Sequence, residues 1–370
     1  MASIASSSTG RVNTGLAQAK RAKKDEFYTQ LSDVEKELIH YRPHFKDKTV
    51  FLNCDDPTYS AFWRHFHLLF NVYKLKKLIA THYESDGSAS YAMVYEGGND
   101  NDVLTGTRIE LAGNGDFRSD ECIEFLKESD IVVTNPPFSL FREYVAQLME
   151  YDKKFLIIGN VNAVTYKEVF PFIKENRLWF GVSIHSGDRK FNVPDDYPLN
   201  AAGCGVDDDG RKFVKVKGVR WFTNMDVKQR HEDLFLSATY YKKDGSVPQA
   251  SLDRWPHYDN YDAIEVGKTK DIPVDYEGVM GVPITFLDKY NPDQFEILGM
   301  CENLDLYGLK TRVYTAEECH QRYFELFGRK GTYDLNAAGV VNGKKVYQRL
   351  LIRARHPHPA GVPVVFDEYE

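Results

Sequence analysis

The part of the chain that most restricts its fold runs from Lys48 to about Asn176, where short apolar runs alternate with helix-like stretches. Parallel strands need long return connections, and helices usually supply them, so this alternation predicts parallel strands joined by crossover helices. Two further strand candidates, 177–184 and 217–225, are expected to form an antiparallel pair that closes the sheet. The fold class expected is therefore α/β, with a mostly parallel sheet.

Apolar runs and capping signals locate the individual elements. Strands are expected at 49–54, 77–81, 108–111, 130–134 and 155–158. Helices are expected after Asp56 as N-cap and Pro57 as first helical residue, from Ser119 to Glu128, and from a Ser139 cap over Leu140–Glu150. Thr165 and Glu168 have capping-box spacing for a further helix, in which Pro171 predicts a kink or an early end. The polar segment 85–105 is expected to be a surface loop with one hairpin arm.

A rigid polar loop follows the strand predicted at 130–134. It reads Asn135-Pro136-Pro137-Phe138. The exocyclic amine of a base is a poor nucleophile, and an amide oxygen that accepts one of its N–H groups localises the lone pair. The prolines stiffen the loop and leave the Pro136 carbonyl as a second acceptor, while Phe138 offers a ring for stacking a base. The alternative is a Pro-Pro turn that merely ends a strand.

Further polar and aromatic residues follow the other predicted strands. In open α/β sheets ligands bind at the carboxyl ends of the strands, where Asp55, Glu84, Asp116, Phe117 and the Asn135 loop would meet. Glu84 could bind ribose hydroxyls, Asp116 could accept from an adenine amine, and Phe117 could form an apolar wall. Each also has a structural alternative as a helix cap, a loop charge or part of a turn.

Composition indicates an ordinary globular protein. At 370 residues, 42% hydrophobic and 27% charged, the chain can bury the core of one large domain or two smaller ones. No apolar run reaches the roughly 20 residues of a membrane span, and the first residues do not resemble a signal peptide. Five scattered cysteines indicate neither a zinc site nor a disulfide framework. We expect a cytoplasmic protein without a metal.

Charge is unevenly distributed. The formal net charge is −7, which disfavours a nucleic-acid partner, yet local clusters matter more than the sum. Cations occur at 20–24 after a Ser/Thr/Gly-rich start that reads as disordered, and again at Lys344, Lys345, Arg349, Arg353 and Arg355. Each cluster could bind phosphates or could be a solvated face.

Several segments, taken in order, carry a resemblance to a known family. They are KDEFYTQ at 24–30, NCDDP at 53–57, KKLIAT at 76–81, GDFRSDEC at 115–122, TNPPFSLFRE at 134–143, IIGNVNA at 157–163, RHED at 230–233, KTKDIP at 268–273 and GVMGVPITF at 278–286. Together they resemble the EcoRI-type adenine-specific DNA methyltransferases from Lys24 to about Gln294. The first loop departs from the FxGxG pattern of methyltransferases in general and agrees with this group.

The resemblance implies a class I, Rossmann-like fold that uses S-adenosylmethionine to methylate N6 of an adenine flipped out of double-stranded DNA. It implies that Phe27, Tyr28 and Thr29 line the methionine end of the cofactor, with Asn53 and Asp55 in the first loop near its amino acid moiety. Glu84, or Asp86 beside it, would bind the ribose, and Asp116 and Phe117 the cofactor adenine. Asn135 and the Pro136 carbonyl would accept from the target amine, with Pro137 stiffening the loop and Phe138 stacking on the base.

We expect three regions: a disordered basic arm (1–24), a catalytic domain (25–240), and a DNA-recognition and C-terminal extension region (241–370). Base recognition is expected from the loop 185–211 or the stretch 257–261, whose tyrosines could equally just pack. A monomer is expected, alongside a cognate restriction endonuclease that it does not contact. Two alternatives remain: a methyltransferase acting on RNA or on a protein glutamine, and a DNA-binding protein without activity.

Overall fold

The computed structural model describes residues 28–84, 88–98, 102–193, 197, 199, 203–360 and 362. Phe27, Asp86 and the basic arm at 1–24 lie outside these residues. The chain forms two compact units, of which the first comprises the described residues up to Ile173 together with Arg177–Val227. The second comprises Lys174–Asn176 and the chain from Lys228 onward. The assignment of the regions to catalysis and DNA recognition stays a prediction.

The first unit holds twelve strands in two sheets. In chain order they are β1 (Tyr28–Thr29), β2 (Thr49–Asn53), β3 (Lys77–Thr81), β4 (Tyr91–Tyr95), β5 (Thr107–Glu110), β6 (Ile131–Thr134), β7 (Lys154–Asn160), β8 (Trp179–Phe180), β9 (Asp188–Asn192), β10 (Cys204–Val206), β11 (Lys212–Lys217) and β12 (Val219–Thr223). The strands expected from apolar runs are all present, although several are shorter by one or more residues.

The larger sheet is mixed. Its eight strands lie in the order β5-β4-β3-β2-β6-β7-β12-β8, and only β3, β2, β6 and β7 are parallel to one another. The expectation of a mostly parallel sheet was therefore too strong. The hairpin arm expected in the polar segment is β4, which pairs antiparallel with both β3 and β5. Two antiparallel steps bring β5 back to the direction of β3, so β5 also ends at the carboxyl edge of the parallel strands.

Part of the segment expected to be a loop, 185–211, forms a second sheet. This sheet has the order β1-β9-β11-β10 and is antiparallel throughout. Phe191 on β9 and Val214 on β11 lie opposite each other and are buried. The short alternating runs were obscured in the sequence by the polar residues between them.

Helices connect the strands. Along the chain they are α1 (Leu31–Leu38), α2 (Ala61–Leu68), α3 (Phe70–Tyr73), α4 (Asp120–Glu128), α5 (Phe141–Glu150), α6 (Phe170–Lys174), α7 (Gln249–Arg254) and α8 (Ala316–Phe327). Short 3-10 segments lie at Ile39–Phe45, Phe138–Leu140, Val161–Thr165, Lys228–His231, Thr269–Asp271, Ile284–Lys289 and Leu335–Ala337.

The capping predictions had mixed outcomes. Ser119 caps α4 as expected, because its hydroxyl accepts from the Cys122 amide. The helix expected after Asp56 begins later, with Ser60 as N-cap, because the Asp56 carboxylate instead closes a turn by accepting from the Thr58 amide at 2.9 Å. Ser139 does not cap α5, since a 3-10 turn runs through it.

The segment expected to form a helix from a Thr165 and Glu168 capping box is also different. It contains the 3-10 turn Val161–Thr165 and then the five-residue helix α6, in which Pro171 is the second residue. A proline fits the first turn of a helix, where its missing N–H is not needed. The expected short helix is present, but it starts after the predicted capping box.

The second unit has its own sheet. Its strands are β13 (Ile264–Glu265), β14 (Met280–Pro283), β15 (Phe295–Met300), β16 (Val340–Val341), β17 (Lys344–Lys345) and β18 (Arg349–Ala354). Four of them form a sheet in the order β13-β14-β18-β15, and β16 pairs with β17 in a hairpin. α8 begins with a complete capping box between Thr315 and Glu318.

Two of the DNA-contact candidates from the sequence are packed inside this second unit. They are the stretch 257–261, expected to read bases, and Arg349, expected to bind phosphate. Tyr258, Asn260 and Tyr261 are buried, and the Asn260 amide bonds to the backbone at Ala338 and Val340. Arg349 is 8% exposed and forms an ion pair with Glu265 at 2.6 Å. These side chains support the unit, so the interpretation of Arg349 as part of a phosphate-binding cluster was wrong.

Candidate active site

One cavity of about 420 Å³ lies in the first unit at the carboxyl ends of β2, β3, β5 and β6. It is lined by Tyr28, Thr29, Cys54, Asp55, Asp56, Ser60, Ala61, Phe62, His82, Tyr83, Asp116, Phe117, Arg118, Asn135, Pro137, Ser139 and Leu140. The strand direction explains why residues so far apart in sequence meet here.

The loop after β2 places one carboxyl group deep in this cavity. Asn53 lies just behind it and is 1% exposed, and its Oδ1 accepts from the Cys54 amide and the Thr81 hydroxyl, both at 2.9 Å. Cys54 has a φ of 61°, which turns the chain so that Asp55 follows into the cavity. The Ser60 hydroxyl donates to Asp55. Burial nevertheless raises the pKa of Asp55 to about 8.

The loop after β5 brings an ionised carboxylate and an aromatic ring to the same cavity. The Asp116 carboxylate accepts from Arg118 Nε at 2.9 Å and Nη2 at 2.7 Å. These bonds hold the pKa of Asp116 below its usual value. Phe117 is 3% exposed and packs edge-on against Tyr144, with ring centroids 5.0 Å apart.

Gly115 allows this loop to approach the end of β3 closely. Its φ is +77°, and a Cβ at this position would lie 1.8 Å from the His82 carbonyl oxygen. The Glu84 amide donates to the Asn114 carbonyl at 2.8 Å across the same gap. A glycine is needed here both for the backbone conformation and for space.

A cluster of polar side chains that includes Glu84 borders the cavity. Glu84 itself is not among the lining residues; its Oε1 lies 2.8 Å from His82 Nε2. His82 Nδ1 lies 3.6 Å from Asp56 Oδ2, and Tyr91 donates to Asp56 at 2.9 Å. The carboxylate that lines the cavity at this end is therefore Asp56, held by His82 and Tyr91.

β1 closes one side of the cavity with Tyr28 and Thr29. Thr29 pairs with Phe191 of β9 and is 8% exposed. Its hydroxyl has no hydrogen-bond partner among the described residues. A buried hydroxyl that lacks a partner costs free energy, and a polar ligand group in the cavity would remove that cost.

The loop after β6 carries the amide and the aromatic ring predicted from the sequence. Asn135 is half-buried and lines the cavity with Pro137. Pro136 is buried. The Phe138 ring lies 6.3 Å from Phe191 at 89°, so it packs against the small sheet and does not line the cavity. The Pro137 carbonyl accepts from the Leu140 amide at 2.9 Å, which closes the loop.

Most of the predicted residues therefore meet at one place. Tyr28, Thr29, Asp55, Asp116, Phe117, Asn135 and Pro137 line the cavity, whereas Asn53, Glu84, Pro136 and Phe138 do not. Sequence reasoning did not select Ser60, His82 or Arg118. Arg118 is two residues after Asp116, so its pairing could have been anticipated. His82 gave no sequence signal.

Comparisons with known proteins identify the family. The family described as adenine-specific methyltransferase EcoRI matches residues 15–355. The type II methyltransferase M.EcoRI of Escherichia coli is 49% identical over 304 residues, covering 79% of this chain and 91% of that protein. M.MgeORF184P of Mycoplasma genitalium and M.MpnI of Mycoplasma pneumoniae, also type II methyltransferases, are each 38% identical over 91% of this chain and 97% of their own length. No solved structure gave a significant match.

Proposed function

Because this chain belongs to the EcoRI family of adenine-specific methyltransferases, we propose that it transfers a methyl group from S-adenosylmethionine to N6 of an adenine flipped out of duplex DNA. The resemblance inferred from the sequence is confirmed, and the chain is an adenine-specific DNA methyltransferase. The observation that carries the finer proposal is the cavity in which Asn135 meets Asp55, Asp116 and Phe117.

The fold supports a class I, Rossmann-like assignment. The parallel strands lie in the order β3-β2-β6-β7 with an antiparallel β12 beside β7, and the cavity lies where the parallel strands end. Cofactor sites in open α/β sheets lie at this edge. We place the cofactor there.

The residues of the cavity fit S-adenosylmethionine. A volume of about 420 Å³ is within the range of small-molecule sites. Asp55 is a carboxyl whose pKa is raised by burial, and the amino group and sulfonium of the cofactor would supply positive charge beside it. The Thr29 hydroxyl has no partner among the described residues and would bind the same methionine end, next to Tyr28. The same role stays a proposal for Phe27, which lies outside the described residues.

The nucleoside part would lie between the loops after β3 and β5. Asp116 is ionised and already oriented by Arg118, and each carboxylate oxygen can accept a further bond, for example from the adenine amine. Phe117 would contact the ring. Asp56 lines the cavity and Glu84 lies beside it through His82, so we propose this carboxylate pair for the ribose hydroxyls.

The residues of the catalytic loop would act on the target base. When bound, S-adenosylmethionine supplies a methyl group attached to a sulfonium. Asn135 Oδ1 and the Pro136 carbonyl would hold the two amino hydrogens of the adenine, which keeps its lone pair directed at the methyl group. Phe138, held edge-on by Phe191, would turn toward the flipped base. Positioning and electrostatic stabilisation would supply most of the rate.

The remaining expectations stay proposals. We propose that the second unit and the tail after Leu298 recognise the DNA sequence, that the chain acts as a monomer in the cytoplasm, and that it protects DNA from a cognate nuclease without contacting it. No helix among the described residues is long and apolar enough to cross a membrane. The described residues include no group of three or more acidic, His or Cys side chains placed to hold a metal.

The function is tested by sequencing genomic DNA, with detection of modified bases, from cells that express the chain or its Asn135→Ala variant. We expect N6-methyladenine at one short motif with the natural chain and a loss of about 10²-fold or more with the variant. Cofactor binding by the variant, measured by calorimetry, should persist because Asn135 acts on the base. Methylation of RNA alone, in an assay that offers RNA and DNA separately with labelled cofactor, would overturn the proposal.

A further inference from the structure

A group of cations lies beside the catalytic loop at the carboxyl edge of the large sheet. Arg142 is in the first turn of α5, directly after that loop, and Lys215 and Lys217 are on β11. All three side chains are exposed. Within the described part of the chain, none of the three forms an ion pair. We call these three residues the cation strip.

Two members of the strip, Arg142 and Lys217, contact the segment at the end of β7, the strand next to β6. The Arg142 guanidinium lies 4.0 Å from the ring centre of Tyr166, which follows the 3-10 turn after β7. The Lys217 carbonyl accepts from Asn160 Nδ2 at 2.8 Å, and Asn160 is the last residue of β7. Arg142 and Lys217 are thus both anchored to the segment 160–166, beside the strand that carries Asn135.

The strand pairing places the lysines on the outer face of the small sheet. Val214 and Val216 alternate with them and are buried, so Lys215 and Lys217 point the other way. Lys215 lies opposite Lys190, whose charge is paired with Asp207 at 3.2 Å, and Lys217 lies opposite Asp188. Lys215 is therefore the cation of this face without a carboxylate directly opposite it.

The position of Arg142 near the start of α5 is electrostatically unfavourable. A cation in the first turn of a helix opposes the helix dipole and destabilises the helix. Stacking on Tyr166 orders the guanidinium and leaves its edge free to donate. A planar, ordered guanidinium suits two-pronged binding of a phosphate.

We propose that the cation strip binds the DNA phosphates that flank the flipped adenine, with Tyr166 as the positioning residue for Arg142. This rests on the proposed function, because the occupant is the duplex whose adenine enters the catalytic loop. The small sheet connects the two sites directly: its buried Phe191 packs against Phe138 of that loop. The acidic turn nearby does not compete for the strip, since Asp207 pairs with Lys190 and Arg211.

The test compares two triple variants with the same change in charge. The first carries Arg142→Ala, Lys215→Ala and Lys217→Ala. The control carries Lys46→Ala, Lys76→Ala and Lys127→Ala, which are three exposed lysines. They lie just before β2, just before β3 and at the end of α4, which leads into β6. All three are therefore at the opposite, amino edge of the parallel strands. Binding to a fluorescent duplex of random sequence is measured by anisotropy over a series of salt concentrations.

Each phosphate contact contributes about 0.9 to the slope of log affinity against log salt. The strip variant should therefore lose about 2 to 3 from the magnitude of the slope, and on the order of 10²-fold in affinity at 0.1 M salt. The control should keep the slope of the natural chain. The inference would be overturned if the strip variant melts cooperatively and binds S-adenosylmethionine but keeps an unchanged slope. The proposed function would be overturned instead if the natural chain methylates no DNA.

Tyr166 provides a second readout that does not depend on charge. Tyr166→Ala leaves all three cations in place but removes the ring under Arg142, so affinity should fall about threefold to tenfold with the salt slope little changed. Tyr166→Phe keeps the ring and should bind like the natural chain. Equal binding by the Ala and Phe variants would show that the stack does not position Arg142.

Discussion

At the scale of single residues, Asp55 links the chemistry of the cavity to pH. Burial raises its pKa to about 8, so at pH 7 most molecules carry a neutral carboxyl there. The hydrogen bond from Ser60 acts in the opposite direction and only partly offsets burial. A cationic ligand beside Asp55 would favour the carboxylate and would lower this pKa.

We therefore predict that S-adenosylmethionine binding at pH 7 releases a proton from Asp55. The affinity of the natural chain should rise as pH increases from 6 to 8, because the ionised form binds the cationic ligand better. The measurement is calorimetry in buffers of different ionisation enthalpy. Asp55→Asn should release fewer protons and lose this part of the pH dependence, while the ligand's own amino group contributes equally to both proteins. Equal proton release by both would contradict the prediction.

Other residues show why sequence reasoning found only part of the site. Asp55 and Asn135 could be selected because each closely follows a buried apolar strand, and Asp116 because it lies in the loop after β5, which ends at the same edge. His82 and Ser60 act through contacts with Glu84 and Asp55, and no local pattern reveals such pairings. Phe27 lies outside the described residues, so its predicted role stays a prediction.

At the scale of elements, the loop after β5 depends on one glycine. Gly115→Ala would place a Cβ 1.8 Å from the His82 carbonyl oxygen and would strain a φ of +77°. Because backbone cannot yield as a side chain does, the loop should move and shift Asp116 and Phe117. We predict at least a tenfold loss of cofactor affinity, or about 1.4 kcal/mol, measured by calorimetry.

Gly113 in the same loop is the matched control. A Cβ there would meet only Glu121 Oε2, at 3.5 Å, which is an ordinary contact. Gly113→Ala should therefore bind the cofactor within about twofold of the natural chain. Equal losses in both variants would mean that the close approach of Gly115 to β3 does not shape the cavity.

In the second unit, a buried ion pair joins β13 to β18 across β14, which lies between them. Arg349 and Glu265 have side-chain exposures of 10% and 12%, and Tyr258 also donates to Glu265. Removing one partner of a buried pair leaves a charge without compensation, at about 3–5 kcal/mol. We predict that Arg349→Ala lowers the free energy of unfolding by about 3 kcal/mol, measured by urea denaturation.

Arg353 on the same strand is the control, since its ion pair with Glu296 is more exposed, at 49% and 28%. Arg353→Ala should cost no more than about 1 kcal/mol. A similar small cost for both variants would contradict the buried role of Arg349. The sequence grouped these two arginines in one basic cluster because burial is decided by the strand pairing, which the sequence did not reveal.

Element boundaries show which local signals were sufficient. Ser119 followed by Asp120 and Glu121 predicted the start of α4 correctly. Asp56 and Pro57 gave an equally good signal, but Asp56 accepts from Thr58 and Tyr91, so the helix starts at Ala61. The antiparallel arms β4 and β12 were expected, whereas the small sheet was not, because it pairs β1 with strands far along the chain.

At the scale of the whole molecule, the net charge of −7 does not describe the surface near the catalytic loop. Acidic residues are spread through both units, while the cation strip is confined to α5 and β11 of the first unit. A protein that repels DNA on average can therefore still bind it locally. The sequence clusters drew attention to cations at both ends of the chain. The strip instead brings Arg142 together with two lysines of β11, which lie far along the chain from it.

The division into two compact units leads to a prediction about the isolated first unit. All residues that line the cavity lie between Tyr28 and Leu140, and the strands that position them belong to the first unit. A fragment that ends at Val227 should therefore bind S-adenosylmethionine with an affinity within about tenfold of the full chain, measured by calorimetry. The same fragment should lose methylation at the recognition motif if the second unit reads the DNA sequence. Asp55→Asn in the fragment should reduce proton release on binding, as in the full chain. A fragment that melts cooperatively but binds no cofactor would contradict the assignment of the whole cofactor site to the first unit.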